Sequence, residues 1–369
     1  MGGRAELRLS PAQAMRRALG LAWNGWGRVG GNPLVGAVVM RDGVVVGEGW
    51  HSDFGGPHAE RVALAASGER SRGADLVVTL EPCRHHGKTP PCTDAIIAAG
   101  IRRVYFGAAD VDPEARGGAR QLAAAGIEVV GPECPDDVMA QNAAFFHRHR
   151  AIDRPFVTLK LAVSLDAKIA DAHRRSRWLT GPEARAWVHW LRAGQDAIAV
   201  GLGTVLADDP ELTVRGELQP SRTPLRVVFD RRAELPLDSK LARTARQVPT
   251  AIVAYPDAPG PRLEAIRAAG IAIVTGANLS EQLAALGRRG VGSLLVEGGG
   301  VLAGRMLEAE LVDRLCLITA PVLLGGEGVS AFGELPAVNL SDARRWRNVG
   351  FRMLGQDTLS VMDRKERGG

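Results

Sequence analysis

The spacing of one histidine, one glutamate and two cysteines constrains the fold of this chain more than any other feature of its sequence. His58 and Glu60 open a predicted helix, and Cys83 and Cys92 follow, each directly after a proline. A hydrolytic zinc site needs three protein ligands and an open position for water, and this set supplies one nitrogen and two thiolates. Glu60 would lie beside the attacking water, where a carboxylate can accept and return a proton. The pattern predicts an α/β fold that brings strand-to-helix junctions together around zinc.

Each of these motifs is weak when taken alone. A lone His-x-Glu is common, and free buried cysteines usually behave as small apolar residues. Their order and their positions at predicted helix starts favour zinc, because the positive end of a helix stabilises a thiolate. Nucleobase deaminases share the signature, although they usually have Cys-x-x-Cys, whereas eight residues separate Cys83 from Cys92 here. We therefore predict a zinc-dependent deaminase that acts on a pyrimidine-like ring.

Length and composition indicate a two-domain chain without a membrane or export segment. The chain has 369 residues, and no apolar run approaches the roughly 18 residues of a membrane helix. The net charge of +5 is interpreted as a solvated arginine-rich surface rather than a nucleic-acid site. Four cysteines without a secretory signal do not make a disulfide framework, so we expect a cytoplasmic protein.

Strand and helix patterns alternate along both halves of the chain, which indicates two α/β domains. The first is predicted to be a sandwich around a largely parallel sheet, followed by a polar helix over 136–150. The boundary is placed within 148–154, so that the domains are 1–150 and 151–369. The expected strands cover 34–40, 44–49, 75–80, 104–108 and 127–130 in the first domain and 156–161, 197–200, 225–229, 250–253 and 293–296 in the second.

Three segments of the second domain carry its candidate site: 160–166, 200–215 and 296–304. In the last of these, a strand ends, three glycines turn and a helix begins. Glycines let a backbone approach closely, and the free amides of a helix start bind a diphosphate, yet a plain strand-to-helix turn is equally open from the glycines alone. The run is not the Gly-x-Gly-x-x-Gly of a dinucleotide-binding unit, because it lies late in the domain and lacks the acidic residue that should follow.

Several longer runs are shared with a known family. Residues 81–94 read Glu-Pro-Cys-Arg-His-His-Gly-Lys-Thr-Pro-Pro-Cys-Thr-Asp, and residues 31–36 read Gly-Asn-Pro-Leu-Val-Gly. With Gly-Trp-His at 49–51 and the three segments of the second domain, they closely resemble the bifunctional riboflavin-biosynthesis deaminase–reductases. The resemblance covers nearly the whole chain. It implies a cytidine-deaminase-like α/β/α sandwich followed by a dihydrofolate-reductase-like α/β domain.

For the first domain, the resemblance implies a diaminopyrimidinone substrate that carries a ribosyl phosphate. His85, His86 and Lys88, between the two cysteines, are equally well explained as a solvated basic loop or as contacts to the phosphoribosyl group. The implied roles are Zn²⁺ binding by His58, Cys83 and Cys92, proton transfer by Glu60 and substrate binding by Asn32.

For the second domain, the resemblance implies hydride transfer from NADPH to the ribose carbon that carries the amine, after ring opening to an imine. The protein would then contribute mainly positioning. A guanidinium offers paired donors, so two arginines are natural phosphate partners. The implied cofactor contacts are Ala162, Trp178, Thr204, Asp208, Gly298, Gly299, Gly300, Val301, Leu302, Ala303 and Gly304. The implied substrate contacts are Lys160, Ser176, Arg192, Leu212, Arg215 and Glu297.

Departures from the family pattern keep two other interpretations open. Gly31 replaces a usual proline, Arg84 stands where the family often has a further cysteine, and 112–114 replaces a longer Asp-Pro-Asn-Pro stretch. The loop 167–176 differs more, which we attribute to drift. The alternatives are a deaminase of another pyrimidine substrate with a non-reducing appendage, and a binding protein built on an inactive reductase domain. We expect a phosphorylated pyrimidine substrate, no nucleic-acid or membrane partner, and a homo-oligomer.

Overall fold

The computed structural model describes residues 7–87, 89–150, 152–333, 335–336 and 338–365. The chain divides into two compact units, Met1–Arg150 and Ala151–Gly369. Across those described ranges, no helix has the length and apolar character that crossing a membrane requires.

The N-terminal unit is built on a five-stranded sheet with helices on both faces. Short 3-10 turns at Trp23–Gly25 and Gly68–Ser71 follow the first two helices. The strands are β1 (Gly36–Arg41), β2 (Val44–Trp50), β3 (Asp75–Leu80), β4 (Arg103–Ala108) and β5 (Glu128–Val130). The helices are α1 (Pro11–Ala22), α2 (Ala59–Ser67), α3 (Cys92–Ala98), α4 (Gly118–Ala124), α5 (Pro135–Gln141) and α6 (Ala143–Arg148).

This sheet has the order β2-β1-β3-β4-β5 and is largely parallel, with β1 as the antiparallel member. Asp42 and Gly43 both have positive φ, 51° and 80°, so they form a two-residue turn that folds β2 back on β1. Helix α2 then crosses over β1 and returns the chain to its far side, which makes β3 antiparallel to β1 as well. Strands β2, β3, β4 and β5 therefore all run in one direction, and β1 runs opposite to them.

Strand β1 shows why helices cover both faces of the sheet. Its side chains alternate, and Ala37 and Val39 pack in the cluster formed with α2, α3 and α4. Val38 and Met40 pack on the opposite face against α1. An apolar residue at every position is expected of a strand that is buried on both sides. The α/β/α sandwich is thereby confirmed for this unit.

The single polar helix expected over 136–150 is two helices, α5 and α6, which meet at Asn142. The Asn142 side chain leaves the helical pattern to pair with the backbone of Leu34: its Oδ1 accepts from the Leu34 N–H at 2.7 Å and its Nδ2 donates to the Leu34 carbonyl at 3.1 Å. Asn142 is 5% exposed, so these bonds form in the interior. The interruption fixes the loop that precedes β1.

The C-terminal unit is a second α/β sandwich, and all five strands predicted for it are confirmed. Its strands are β6 (Phe156–Val163), β7 (Lys168–Ala170), β8 (Ala197–Gly201), β9 (Leu225–Phe229), β10 (Thr250–Ala254), β11 (Ala272–Thr275), β12 (Ser293–Glu297), β13 (Arg314–Thr319), β14 (Val329–Ser330), β15 (Trp346–Leu354) and β16 (Asp357–Arg364). Its helices are α7 (Pro182–Ala193), α8 (Leu202–Asp208), α9 (Lys240–Arg243), α10 (Gly260–Ala268), α11 (Leu279–Arg288) and α12 (Gly300–Glu308).

Nine of these strands form one sheet in the order β11-β10-β9-β8-β12-β6-β13-β16-β15, and β7 pairs with β14. The first seven strands in that order run parallel, and the β15–β16 hairpin adds antiparallel to β13. Strands β8, β12 and β6 are adjacent, so their carboxyl ends meet at one edge of the sheet. That edge brings together the three segments singled out from the sequence.

Candidate active sites

Three side chains of the N-terminal unit form a cluster with the geometry of a metal site. His58 caps the start of α2, Cys92 is the first residue of α3, and Cys83 lies between β3 and α3. The His58 Nδ1 atom lies 3.4 Å from the Sγ atom of each cysteine. Two tetrahedral ligands at normal Zn–S and Zn–N bond lengths would lie about 3.5 Å apart. All three ligand atoms lie within 4.8 Å of one another, so the donor set and its spacing fit zinc.

The pKa values of the two thiols are shifted in opposite directions. The hydrogen bond from Cys92, helped by that from His58, lowers the pKa of Cys83 to about 4. The same Cys83–Cys92 contact, together with burial, raises the pKa of Cys92. A metal bound by both sulfurs would require the pair to release its protons.

Glu60 lies in the first turn of α2, beside the cluster but outside its three ligands. It is 4% exposed, and burial, followed by the negative charge of Cys83, raises its pKa to about 7. A carboxyl group with a pKa near neutrality exchanges protons readily with water and with substrate. Glu60 therefore lies beside the three ligand residues, at the position that the sequence predicted.

A cavity of about 260 Å³ opens beside this cluster and is lined by Asn32, His51 and Glu60, among others. Asn32 Nδ2 lies 3.2 Å from His51 Nε2, and His51 Nδ1 lies 3.1 Å from the Pro57 carbonyl oxygen. A carbonyl only accepts, so Nδ1 carries the proton and Nε2 accepts from Asn32. Burial lowers the pKa of His51, which favours this neutral form. His51 was missed as a site residue, although the Gly-Trp-His run contained it.

The wall of the cavity also contains acidic residues that the sequence did not single out. Asp110 and Asp112 both line it, on the loop between β4 and α4. Burial raises the pKa of Asp110 to about 6. His85 lines the cavity as well, and its Nδ1 atom is buried without a hydrogen-bond partner among the described residues. Lys88, considered with His85 for the phosphoribosyl group, lies outside the described residues.

In the C-terminal unit, two predicted substrate residues bind each other. Arg192 Nε and Nη2 donate to the two carboxylate oxygens of Glu297 at 2.6 and 2.9 Å, and Nη1 donates to the Thr213 carbonyl at 2.9 Å. Both side chains are 12% exposed. Burial alone would raise the pKa of Glu297, but the Arg192 charge and hydrogen bond outweigh it and the pKa is lowered. Lys160 lies directly across from Glu297 on β6, and burial lowers its pKa.

The predicted substrate residues Leu212 and Arg215 belong to a loop that α7 holds in place. The Arg215 N–H donates to His189 Nδ1 at 3.1 Å, and its guanidinium pairs with Glu211 at 3.1 Å on the surface. Leu212 has a φ of 50° and is 3% exposed, so its side chain is packed rather than open. His189, three residues before Arg192 on the same helix face, was not predicted.

The glycines at 298–304 have two different structural roles: one takes part in a hydrogen bond, and two allow close packing. The Gly299 N–H donates to Thr204 Oγ1 at 3.3 Å, which brings two predicted cofactor residues together. A Cβ at Gly300 would overlap the Ser330 carbonyl oxygen, and one at Gly304 would overlap that of Phe332. These last two glycines let α12 pack closely against 330–333.

Other predicted cofactor and substrate residues lie around the turn in different environments. Ala303 has no exposed surface and packs in the core, whereas Val301 is 69% exposed. Trp178 is 72% exposed, and the guanidinium carbon of Arg185 lies 4.7 Å from the centre of the Trp178 ring. The Asp208 carbonyl accepts from Arg177 at 2.6 Å. Four more of these residues are half-buried: Ala162, Ser176, Leu302 and Gly298, which precedes the turn.

Comparison with known proteins agrees with both units. The family model described as the cytidine and deoxycytidylate deaminase zinc-binding region matches residues 10–108. The model described as the RibD C-terminal domain matches residues 155–360. Fold and site thus define a zinc-dependent deaminase joined to an NADPH-dependent reductase domain with a dihydrofolate-reductase-like fold.

Relatives along the full chain identify the family. The riboflavin biosynthesis protein RibD of Actinobacillus pleuropneumoniae is 38% identical, covering 94% of this chain and 93% of the relative. The RibD of Escherichia coli is 39% identical, covering 93% and 96%. The solved RibD of Acinetobacter baumannii has a TM-score of 0.80 at 32% identity, covering 96% of this chain and 99% of that one. The chain belongs to the RibD family of bifunctional riboflavin-biosynthesis deaminase–reductases.

Proposed function

We propose that this chain deaminates diaminohydroxyphosphoribosylaminopyrimidine and then reduces the resulting 5-amino-6-(5-phosphoribosylamino)uracil. A solved Thermotoga maritima protein with these two activities in its description has a TM-score of 0.80 and 34% identity, covering 96% of this chain and 99% of that one. The observation that carries the proposal is the cluster of His58, Cys83 and Cys92 beside the buried Glu60. We assign deamination to the first unit and reduction to the second.

In deamination, His58, Cys83 and Cys92 hold the zinc ion, which supplies a Lewis acid that lowers the pKa of water. Glu60 takes the proton from the attacking water, delivers one to the ring nitrogen and assists departure of the amine as ammonia. Asn32, oriented by His51, holds the ring through its amide.

In reduction, NADPH supplies the hydride, and the protein positions the two reactants. Gly298 and Gly299, with Thr204, lie at the amino end of α12, where backbone amides suit the cofactor diphosphate. Arg215 has the more exposed guanidinium and suits the substrate phosphate, whereas Arg192 is engaged by Glu297. Lys160, whose pKa is lowered, suits proton transfer to the opening ribose.

The alternative of an inactive reductase domain is not favoured, because the relatives named above match both domains over nearly their full length. The altered loop 167–176 is closed by Asp171, whose Oδ1 accepts from the N–H groups of His173 and Arg175, both at 2.9 Å. A phosphorylated pyrimidine suits these sites, while a homo-oligomeric state and a cytoplasmic location stay predictions.

The test is Glu60→Gln, assayed for both half-reactions on the full chain. The variant should retain about one zinc per chain, since Glu60 is not a ligand, but lose deamination because an amide cannot accept the proton. It should reduce substrate that is already deaminated at close to the wild-type rate. Deamination at the wild-type rate would remove Glu60 from its role, and failure to reduce would contradict the assignment of separate sites.

A further inference from the structure

The carboxylate of Glu81 connects parts of the deaminase cavity wall that are far apart in sequence. Its Oε2 accepts a hydrogen bond from the backbone N–H of Asp110 at 3.2 Å. Its Oε1 accepts from the N–H groups of Gly117 and Ala119 at 3.1 and 3.0 Å. Glu81 is 8% exposed, so these bonds form away from bulk water, where a hydrogen bond is stronger.

The same loop is attached to the zinc-ligand segment at further points. The Arg84 guanidinium Nε donates to the Arg116 carbonyl at 2.6 Å. A Cβ at Gly118 would overlap the Pro82 carbonyl oxygen, so only glycine lets the two backbones lie this close. The loop between β4 and α4 is therefore held against the residues on both sides of Cys83, and the Glu81 contact fixes it close to its start, at Asp110.

Asp110 is the residue that this attachment presents to the cavity. Its Oδ1 accepts from the N–H of Asp112 at 2.9 Å, and within the described part of the chain no hydrogen bond reaches its Oδ2. A substrate with exocyclic amino groups and ribosyl hydroxyls offers donors that suit such an oxygen. The position of that oxygen depends on the backbone at Asp110, which Glu81 holds.

We propose that Glu81 is a positioning residue of the deaminase site, which holds the Asp110 carboxyl group where it meets a donor of the substrate. This inference rests on the proposed deamination. Glu81 lies in the cavity wall, but both of its carboxylate oxygens accept from backbone N–H groups of the loop, so it acts through the backbone of Asp110. Its loss therefore affects substrate affinity and leaves the zinc content unchanged.

The test is deamination kinetics of the full chain with Glu81→Gln, Asp110→Asn and the double variant. A glutamine has one acceptor oxygen, so it cannot serve both Asp110 and the Gly117–Ala119 pair. With that oxygen on the pair, where it accepts two hydrogen bonds, the Asp110 N–H faces the amide NH₂ group. We expect KM to rise about ten-fold with kcat little changed, the usual scale for one unmet buried hydrogen bond. Glu81→Gln should add little to Asp110→Asn, because residues of one network are not additive.

Asp75→Asn is the matched control, since Asp75 starts the strand that leads to Glu81 but pairs with Arg102 instead. It should leave KM unchanged. An unchanged KM in Glu81→Gln, loss of zinc, or independent multiplicative effects of Glu81→Gln and Asp110→Asn would overturn the inference. If Glu81→Gln does not fold, Glu81→Asp, which is shorter but charged, replaces it with the same expectations. A wild-type protein that fails to deaminate would instead contradict the proposed function.

Discussion

Replacement of Arg192 by alanine is expected to cost more than a lost substrate contact, because it leaves Glu297 buried without its partner. The pair is joined by bonds of 2.6 and 2.9 Å, with both side chains 12% exposed. Removing one member of a buried ion pair typically costs about 3–5 kcal/mol. At about 2–4 °C per kcal/mol for a unit of this size, Tm should fall by roughly 6–20 °C.

The pH dependence of this loss identifies its cause. In the wild type, Arg192 keeps the pKa of Glu297 below its ordinary value. The pair therefore stabilises the folded state fully at pH values above the ordinary pKa of a glutamate, and this stabilisation is lost as the pH falls through the depressed pKa. Without Arg192, burial raises the pKa of Glu297, and the carboxylate takes up a proton as the pH falls from neutral. The difference in Tm between variant and wild type should therefore narrow from pH 8 to pH 5.

Calorimetry and NADPH oxidation with deaminated substrate are the two assays. Arg192→Ala/Glu297→Gln should recover most of the lost Tm, since the carboxylate that Arg192 neutralises is removed together with it. Arg314→Ala is the matched control: Arg314 pairs with Asp363 at 2.7 and 3.0 Å with similar burial, but at the amino end of β13. It should lower Tm without altering reductase KM. An Arg192→Ala protein with unchanged Tm and unchanged kinetics would refute the reasoning.

The remaining predictions concern zinc and the glycine turn. Cys83→Ala or Cys92→Ala should lose zinc and deamination together, measured by metal analysis and ammonia release, and full retention of both would contradict the ligand assignment. Gly304→Ala should reduce the free energy of unfolding by about 1–3 kcal/mol, seen as a lower Tm, because its Cβ would overlap the Phe332 carbonyl. At Gly299 the nearest atom to an added Cβ lies 3.7 Å away, so Gly299→Ala should fold normally and raise only the KM for NADPH.

The zinc site could be predicted because its signals are local. His58 and Cys92 lie where helices begin, and short runs around each ligand carry the residue types that the chemistry requires. The strands β6, β8 and β12 were likewise predictable, since each is a short apolar run that the sheet buries on both faces.

The features that were missed depend on contacts between distant parts of the chain. Glu81 binds N–H groups that lie 29 to 38 residues away, and no local pattern marks a carboxylate for that role. Arg192 and Glu297 are separated by 105 residues, so the sequence assigned both to the substrate and did not show that they bind each other. Strand β15 was missed because most of its positions are exposed or half-buried, which removes the apolar alternation.

The two sites use a buried carboxyl group in opposite ways, and the difference decides which group moves a proton. Glu60 is buried beside a thiolate, its pKa is raised to about 7, and it can therefore exchange a proton near neutral pH. The Glu297 side chain is 12% exposed, but Arg192 holds its pKa below the ordinary value, so it stays ionised. A carboxylate fixed in that state cannot supply a proton to the reduced substrate. Lys160, which faces it across β6 and whose pKa is lowered by burial, is the group of this site suited to that transfer.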